Sequence, residues 1–169
     1  MNVIKPPSKL DKEYKFPSIF LGGTIDQGNS FDWQKEIEKI FEESNVTIFN
    51  PRRDDWDPIW KQDPTPGTQF HTQVTWELEA QDKANFLFYV FLEDSKSPIT
   101  FLELGIYHSS PGKYLKVFCP KKFYRYGNIK IVCEKYGIEH FENIEEFNES
   151  CEELAEIFLP NDFLVPDDN

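Results

Sequence analysis

Apolar residues along the chain fall into two kinds of run that alternate. Short continuous stretches, PSIFLGG (17–23), VTIFNP (46–51), ANFLFYVFL (84–92), YLKVFCP (114–120) and a last one near Ile138 to Phe141, read as strands, and the third is the most apolar and the best central strand. Between them apolar residues return at helical spacing. A helix beginning near Ser30 carries Trp33, Ile37, Ile40 and Phe41 on one face, and another from Gln69 to Lys83 has an inner stripe of Phe70, Val74 and Leu78, with Glu77 also on it. In SPITFLELGIYH, Ser97 reads as an N-cap and Pro98 as the first helical residue, and the helix buries Ile99, Phe101, Leu102, Leu104 and Ile106 around one acid, Glu103. A helix over 127–136 follows. The final one starts at Asn143, paired with Glu146 as a capping box, and its stripe is Ile144, Phe147, Cys151, Leu154 and Phe158.

Strands alternating with helices, five of each at most, predict a three-layer α/β fold: a doubly wound, parallel, five-stranded sheet with helices on both faces. The pattern leaves the strand order open. An order of 2-1-3-4-5 would put the switch point between strands one and three, where ligands bind at the carboxyl ends of strands. The Gly22-Gly23 turn with Thr24 and Asp26, Asp94 after strand three, the Glu103 helix and the long loop RRDDWDPIWKQDPTPG would then meet there. Residues 1–15, polar and carrying Pro6 and Pro7, read as a loose lead-in, 16–160 as a single domain, and 161–169 as a tail.

A formal net charge of -12 argues against nucleic acid or an anionic membrane as the main partner. Cys119, Cys133 and Cys151 lack metal-ligand spacing, and Cys119 and Cys151 fall in core segments, so they read as reduced thiols of a cytoplasmic protein. No stretch resembles a signal peptide or is long enough to cross a bilayer.

Glu103 holds the first claim to chemistry. Burial raises a carboxylate pKa by up to about 3–5 units, whereas a helix N-terminus offers only about 0.3–1 kcal/mol and fades after one turn. Glu103 is therefore a structural acid held by donors or a site acid held ready. Together with Glu77 it could form the nucleophile and acid pair used at a glycosidic carbon; alternatively Glu77 snorkels to solvent. The LGGTIDQG turn could cradle a phosphate or simply let helix and sheet pack closely. Asp54, Asp55 and Asp57 could hold Mg²⁺ or be solvated, Trp56 and Trp60 could stack a base or staple the loop, and Arg52 and Arg53 could bind phosphate or the nearby aspartates. His71, His108 and His140 have no ligand or triad spacing. The candidate substrate-binding residues are Gly22, Gly23, Thr24, Asp26, Arg52, Trp56, Asp94 and Tyr107.

FLGGTID, WQKEIEKIF, FNPRRDDWD, QVTWELEAQDKANFLFYV and SKSPITFLELGIY together resemble the nucleoside 2-deoxyribosyltransferase-like proteins over roughly Ile19 to Gly137. The resemblance implies a flavodoxin-like sheet and cleavage of the N-glycosidic bond of a deoxynucleoside or its 5′-monophosphate through a covalent sugar-glutamate intermediate, without metal or other cofactor. The sugar then passes to another base or to water. By motif the nucleophile falls on Glu103 and the acid that protonates the base on Glu77, where the family has aspartate. Ser97 stands where the transferases have a second acid, with Asp94 the nearest replacement. Phe20 stands where they have the tyrosine that orients the nucleophile. The family's enzymes commonly assemble as oligomers that lend one another residues from the C-terminal tail, a role open to FLVPDDN here. A nucleotide-binding module without turnover and a glycohydrolase of NAD-like dinucleotides are the alternative readings.

Overall fold

The computed structural model describes residues 1–10, 14, 16–25, 31–53, 55, 57 and 59–160. Asp26, Asp54, Trp56 and the tail 161–169 lie outside the described residues. Six strands form one sheet: β1 (Asn2–Ile4), β2 (Ser18–Gly23), β3 (Thr47–Phe49), β4 (Phe86–Val90), β5 (Tyr114–Phe118) and β6 (Glu139–Phe141). The helices are α1 (Trp33–Ile40), α2 (Gln69–Lys83), α3 (Pro98–Tyr107), α4 (Tyr126–Tyr136) and α5 (Ile144–Ile157).

Every pairing is parallel and the order is β1-β3-β2-β4-β5-β6. Without β1 this is the 2-1-3-4-5 order, so the switch point lies between β2 and β4. The five-strand expectation is corrected by β1, which lies in the segment read as a loose lead-in. Its three residues pair with β3, Asn2 N donates to the Val46 carbonyl at 2.9 Å and Asn50 N donates to the Ile4 carbonyl at 3.0 Å. So short a run, next to two prolines, carries no periodicity of its own.

Alternate residues of the strands feed two cores. Ile19 and Leu21 of β2, Ile48 of β3 and Phe88 and Val90 of β4 pack with Trp33, Ile37 and Phe41 of the α1 segment and with Phe147, Cys151 and Ala155 of α5. Phe20, Phe49, Leu87 and Tyr89 point the other way, against Trp76 and Ala80 of α2, Leu104 and Tyr107 of α3, and Ile129 and Cys133 of α4. All three cysteines are buried and unpaired. Caps fix the helix starts: Asp32 accepts from Lys35 N at 3.2 Å, Thr68 from His71 N at 3.1 Å and Asn143 from Glu145 N at 2.7 Å.

Two helices present a face other than the one expected. On α3 the buried positions are Thr100, Glu103, Leu104 and Tyr107, while Ile99, Leu102 and Ile106 are 58%, 60% and 49% exposed. An almost uniformly apolar helix has no hydrophobic direction, so spacing cannot choose its inner side. On α2 the inner face is Gln73, Trp76, Ala80 and Gln81, and Val74 and Leu78 are exposed. No helix of the described residues is long and apolar enough to cross a membrane.

Candidate active site

The inner edge of α2 carries Gln73, Glu77 and Gln81, each four residues from the next and so one above another. Gln73 Nε2 donates to Glu77 Oε1 at 2.7 Å and to the Pro51 carbonyl at 3.0 Å, which anchors the start of the long loop to the helix. Its buried Oε1 has no partner among the described residues. Gln81 Nε2 donates to Glu103 Oε1 at 2.8 Å across to α3, and Tyr89 of β4 donates its hydroxyl to Gln81 Oε1 at 2.7 Å.

Glu103 is 6% exposed and forms no ion pair among the described residues. Burial, and then the charge of Glu77, push its carboxyl up to about 8, with the Gln81 amide pulling the other way. Burial pushes Glu77 up to about 7 against the Gln73 bond. Because the charge of Glu77 raises Glu103, the two do not lose their protons independently; near neutrality they hold close to one proton between them. Such a pair can supply one anionic oxygen and one proton to a molecule lying between them.

At the strand tips Thr24, Ser95 and Ser97 close a buried ring of hydroxyls, with oxygens 2.8 Å (Thr24 to Ser95), 2.6 Å (Thr24 to Ser97) and 2.7 Å (Ser95 to Ser97) apart. Ser95 also donates to the Leu92 carbonyl at 2.9 Å, so four contacts compete for three hydroxyl hydrogens. The expectation of an N-cap at Ser97 is corrected here. Its backbone is left-handed (φ 43°, ψ 48°), it makes no side-chain cap bond, and its hydroxyl serves the ring, while Pro98 does begin the helix.

The other expected residues are placed as follows. Gly22 is buried under the Tyr89 ring, and a Cβ on Gly23 (φ 151°) would fall 2.4 Å from the Val90 carbonyl oxygen, so both glycines serve close approach of the chain. Tyr107 ties α3 to α2, donating to Asp82 Oδ1 at 2.8 Å and to the Leu78 carbonyl at 3.2 Å. Arg52 faces Asp32 at 3.7 Å and Gln34 at 3.4 Å. Arg53 pairs with Asp55 through two bonds of 2.7 Å and lies over the Trp60 ring, 4.7 Å from its centroid. Asp94 is exposed, and Phe20 is packed in the core. Among the described residues no group of three His, Cys, Asp or Glu side chains could hold a metal ion. A surface groove of about 460 Å³ between the N-terminal segment and α2, lined by Leu10, His71, Trp76 and Glu79 among others, includes neither Glu77 nor Glu103.

Gln73, Gln81 and Tyr89 were not among the sequence candidates, because glutamines on a helix look like a solvent face. The spacing that would have found them is the Gln-x₃-Glu-x₃-Gln row itself.

The family model described as "Nucleoside 2-deoxyribosyltransferase like" matches residues 16–123, which include the whole Gln73, Glu77, Gln81, Tyr89 and Glu103 network. The chain belongs to this family. As a nucleoside 2-deoxyribosyltransferase-like protein it carries the sheet and helices expected of it, and the family suggests glycosyl transfer on a nucleoside. No curated protein matches the chain. Among solved structures, a conserved protein from Enterococcus faecalis V583 is similar, with 10% identity, a TM-score of 0.45, and coverage of 81% of this chain and 86% of its own.

Proposed function

We propose that the protein cleaves the N-glycosidic bond of a deoxynucleoside or deoxynucleoside 5′-monophosphate, with Glu103 as nucleophile and Glu77 as acid. The observation that carries this is the pair of raised carboxylates on neighbouring helices, Glu103 buried and Glu77 half-buried, each held by a glutamine amide. Glu103 Oε attacks C1′ as the bond from C1′ to the base nitrogen breaks, the electron pair leaves with the base, and the Glu77 proton goes to the base. Positive charge developing at C1′ favours the anion at Glu103, and a basic ring nitrogen favours the proton at Glu77, so bound substrate sorts the shared proton into these roles. Glu77 then takes a proton from an incoming base or water, which attacks C1′ and releases Glu103. Gln73 Oε1, buried and without a partner among the described residues, suits an amino group on a base that reaches it.

A homo-oligomer and a cytoplasmic setting belong to the same reading. Ile99, Leu102 and Ile106 on α3, with Val74 and Leu78 on α2, give an exposed apolar face suited to a second copy, and three free buried thiols suit a reducing compartment. The test is incubation with deoxynucleosides and their 5′-monophosphates, with and without a second free base, followed by chromatography. Base exchange or released base, lost in Glu103→Gln, is expected; no product from any substrate overturns the reading. Tight nucleotide binding without product would instead favour the binding module, which the absence of a hydroxyl at Phe20 speaks for.

A further inference from the structure

We propose that Tyr89 and Gln81 act in sequence as positioning residues: the Tyr89 hydroxyl fixes the sense of the Gln81 amide, and that amide holds one oxygen of Glu103 for reaction. The inference rests on the reading of Glu103 as nucleophile and names what keeps it competent. Gln81 is wholly buried, and its surroundings admit one orientation of the amide. Nε2 lies 3.2 Å from the Glu77 backbone carbonyl, which can only accept, and 2.8 Å from Glu103 Oε1, so both its hydrogens are used. Oε1 faces the Tyr89 hydroxyl at 2.7 Å. Turned over, the amide would set oxygen against the Glu77 carbonyl and would take from the Tyr89 hydroxyl the acceptor it now donates to.

That phenol stays protonated. Burial first, then the charges of Glu103 and Tyr107, hold it well above the ordinary phenol range, so it donates at every working pH. Its hydroxyl reaches Gln81 by crossing Gly22, the residue beside it on β2. Phe20, two residues earlier on that strand and on the same side of the sheet, has no hydroxyl to offer. The donor thus comes from the next strand, and it acts through an amide instead of touching the carboxylate.

The consequence is chemical. With Tyr89 in place Gln81 can only donate to Glu103, which favours the anion. Without that hydroxyl Oε1 is an unfilled buried acceptor and the Glu77 carbonyl alone opposes a turned amide; in the turned sense a protonated Glu103 donates to Oε1, which keeps the proton on the nucleophile. The other groups facing Glu103 are Glu77 from α2 and Tyr107 from its own helix. Tyr107 is bonded to Asp82 and has the Lys113 ammonium 5.8 Å from its ring centroid. Among the side chains bonded to Glu103, Gln81 is the one that draws its pKa down.

The experiment labels glutamate side-chain carboxyls with ¹³C in the full chain and follows the Glu103 resonance, assigned by its loss in Glu103→Gln, from pH 5 to 10. Gln81→Met should move the Glu103 midpoint upward by about one pH unit, and Tyr89→Phe should move it in the same direction. The acid limb of kcat/KM for deoxynucleoside cleavage should move with it, a change that mere loosening of the fold would not produce. A midpoint unmoved or lowered in the folded variants overturns the proposal. Tyr89→Phe alone decides if Gln81→Met does not fold, since it leaves the core volume unchanged. A wild-type protein inactive on every nucleoside, with the upward shifts intact, sinks the glycosidic reading and leaves the Tyr89 to Gln81 to Glu103 linkage standing.

Discussion

The ring of Tyr89 lies over Gly22 so closely that a Cβ at that position would fall 2.7 Å from both Cδ1 and Cε1 of the ring. β2 and β4 are neighbours in register there, and the ring is wholly buried. Gly22→Ala should therefore cost about 1–3 kcal/mol of stability by overpacking and lower kcat/KM about tenfold or more by moving the Tyr89 hydroxyl. Chemical denaturation and steady-state kinetics on the same preparation check both, and an alanine variant of unchanged stability would mean the ring is not held as described.

The two raised acids give stability a definite pH slope. Glu77 and Glu103 ordinarily titrate at 4.5, and in the folded protein they are pushed to about 7 and about 8. Folded protein then binds protons that unfolded chain has released, so this contribution is fully present below pH 4.5 and is lost as pH rises through 7 and 8. Urea midpoints should fall between pH 5 and pH 9. Glu103→Gln should flatten the slope and be more stable than wild type at pH 9, by on the order of 2 kcal/mol. A wild-type midpoint that rises over that range contradicts the protonation described.

Protonation of the base by Glu77 predicts a dependence on the leaving group. Glu77→Gln should reduce cleavage of an ordinary deoxynucleoside by about 10²–10⁴-fold. A deoxyriboside whose aglycone departs as a stable anion should suffer far less. Equal losses on both, measured by initial rates, would remove the acid role from Glu77.

Ser97 separates strain from hydroxyl bonding. Ser97→Ala keeps the left-handed backbone and loses the ring of hydroxyls; Ser97→Gly loses the ring and relieves the backbone. Glycine should be the milder change by about 1 kcal/mol in thermal or chemical unfolding. Alanine proving equal or better would show that the left-handed turn carries no cost.

The exposed ridge on α3 makes a prediction about assembly. Leu102→Asp places a charge at the most exposed apolar position of that helix and should shift the protein to a smaller species in light scattering after gel filtration, with its helical content unchanged. A wild-type chain already monomeric at tens of micromolar would contradict the second-copy reading.

Much of this was legible in the residues. Strand runs with flanking helix patterns gave the layers, and the Glu77 and Glu103 positions gave the acids. The inner side of α3 was not legible, because Ile99, Leu102 and Ile106 are as apolar as the residues that are buried, and packing against β2 made the choice. On α2 the deciding contacts were polar. Gln73 and Gln81 face inward because acids wait for them there, which no hydrophobic pattern records. The chain of donors behind Glu103 crosses from β4 to α2 to α3, three elements whose side chains meet only in the fold.

Lys113, before β5, closes the far end of α2: its ammonium donates to the carbonyls of Gln81, Asp82 and Ala84 at 2.7, 2.9 and 2.9 Å. Three hydrogens on one compact nitrogen meet three oxygens, a tripod that a flat guanidinium cannot copy. Exchanging lysine for arginine at this place would keep the charge and still unseat the last turn that carries Gln81, so a swap usually counted as harmless would be felt at the acid on the neighbouring helix.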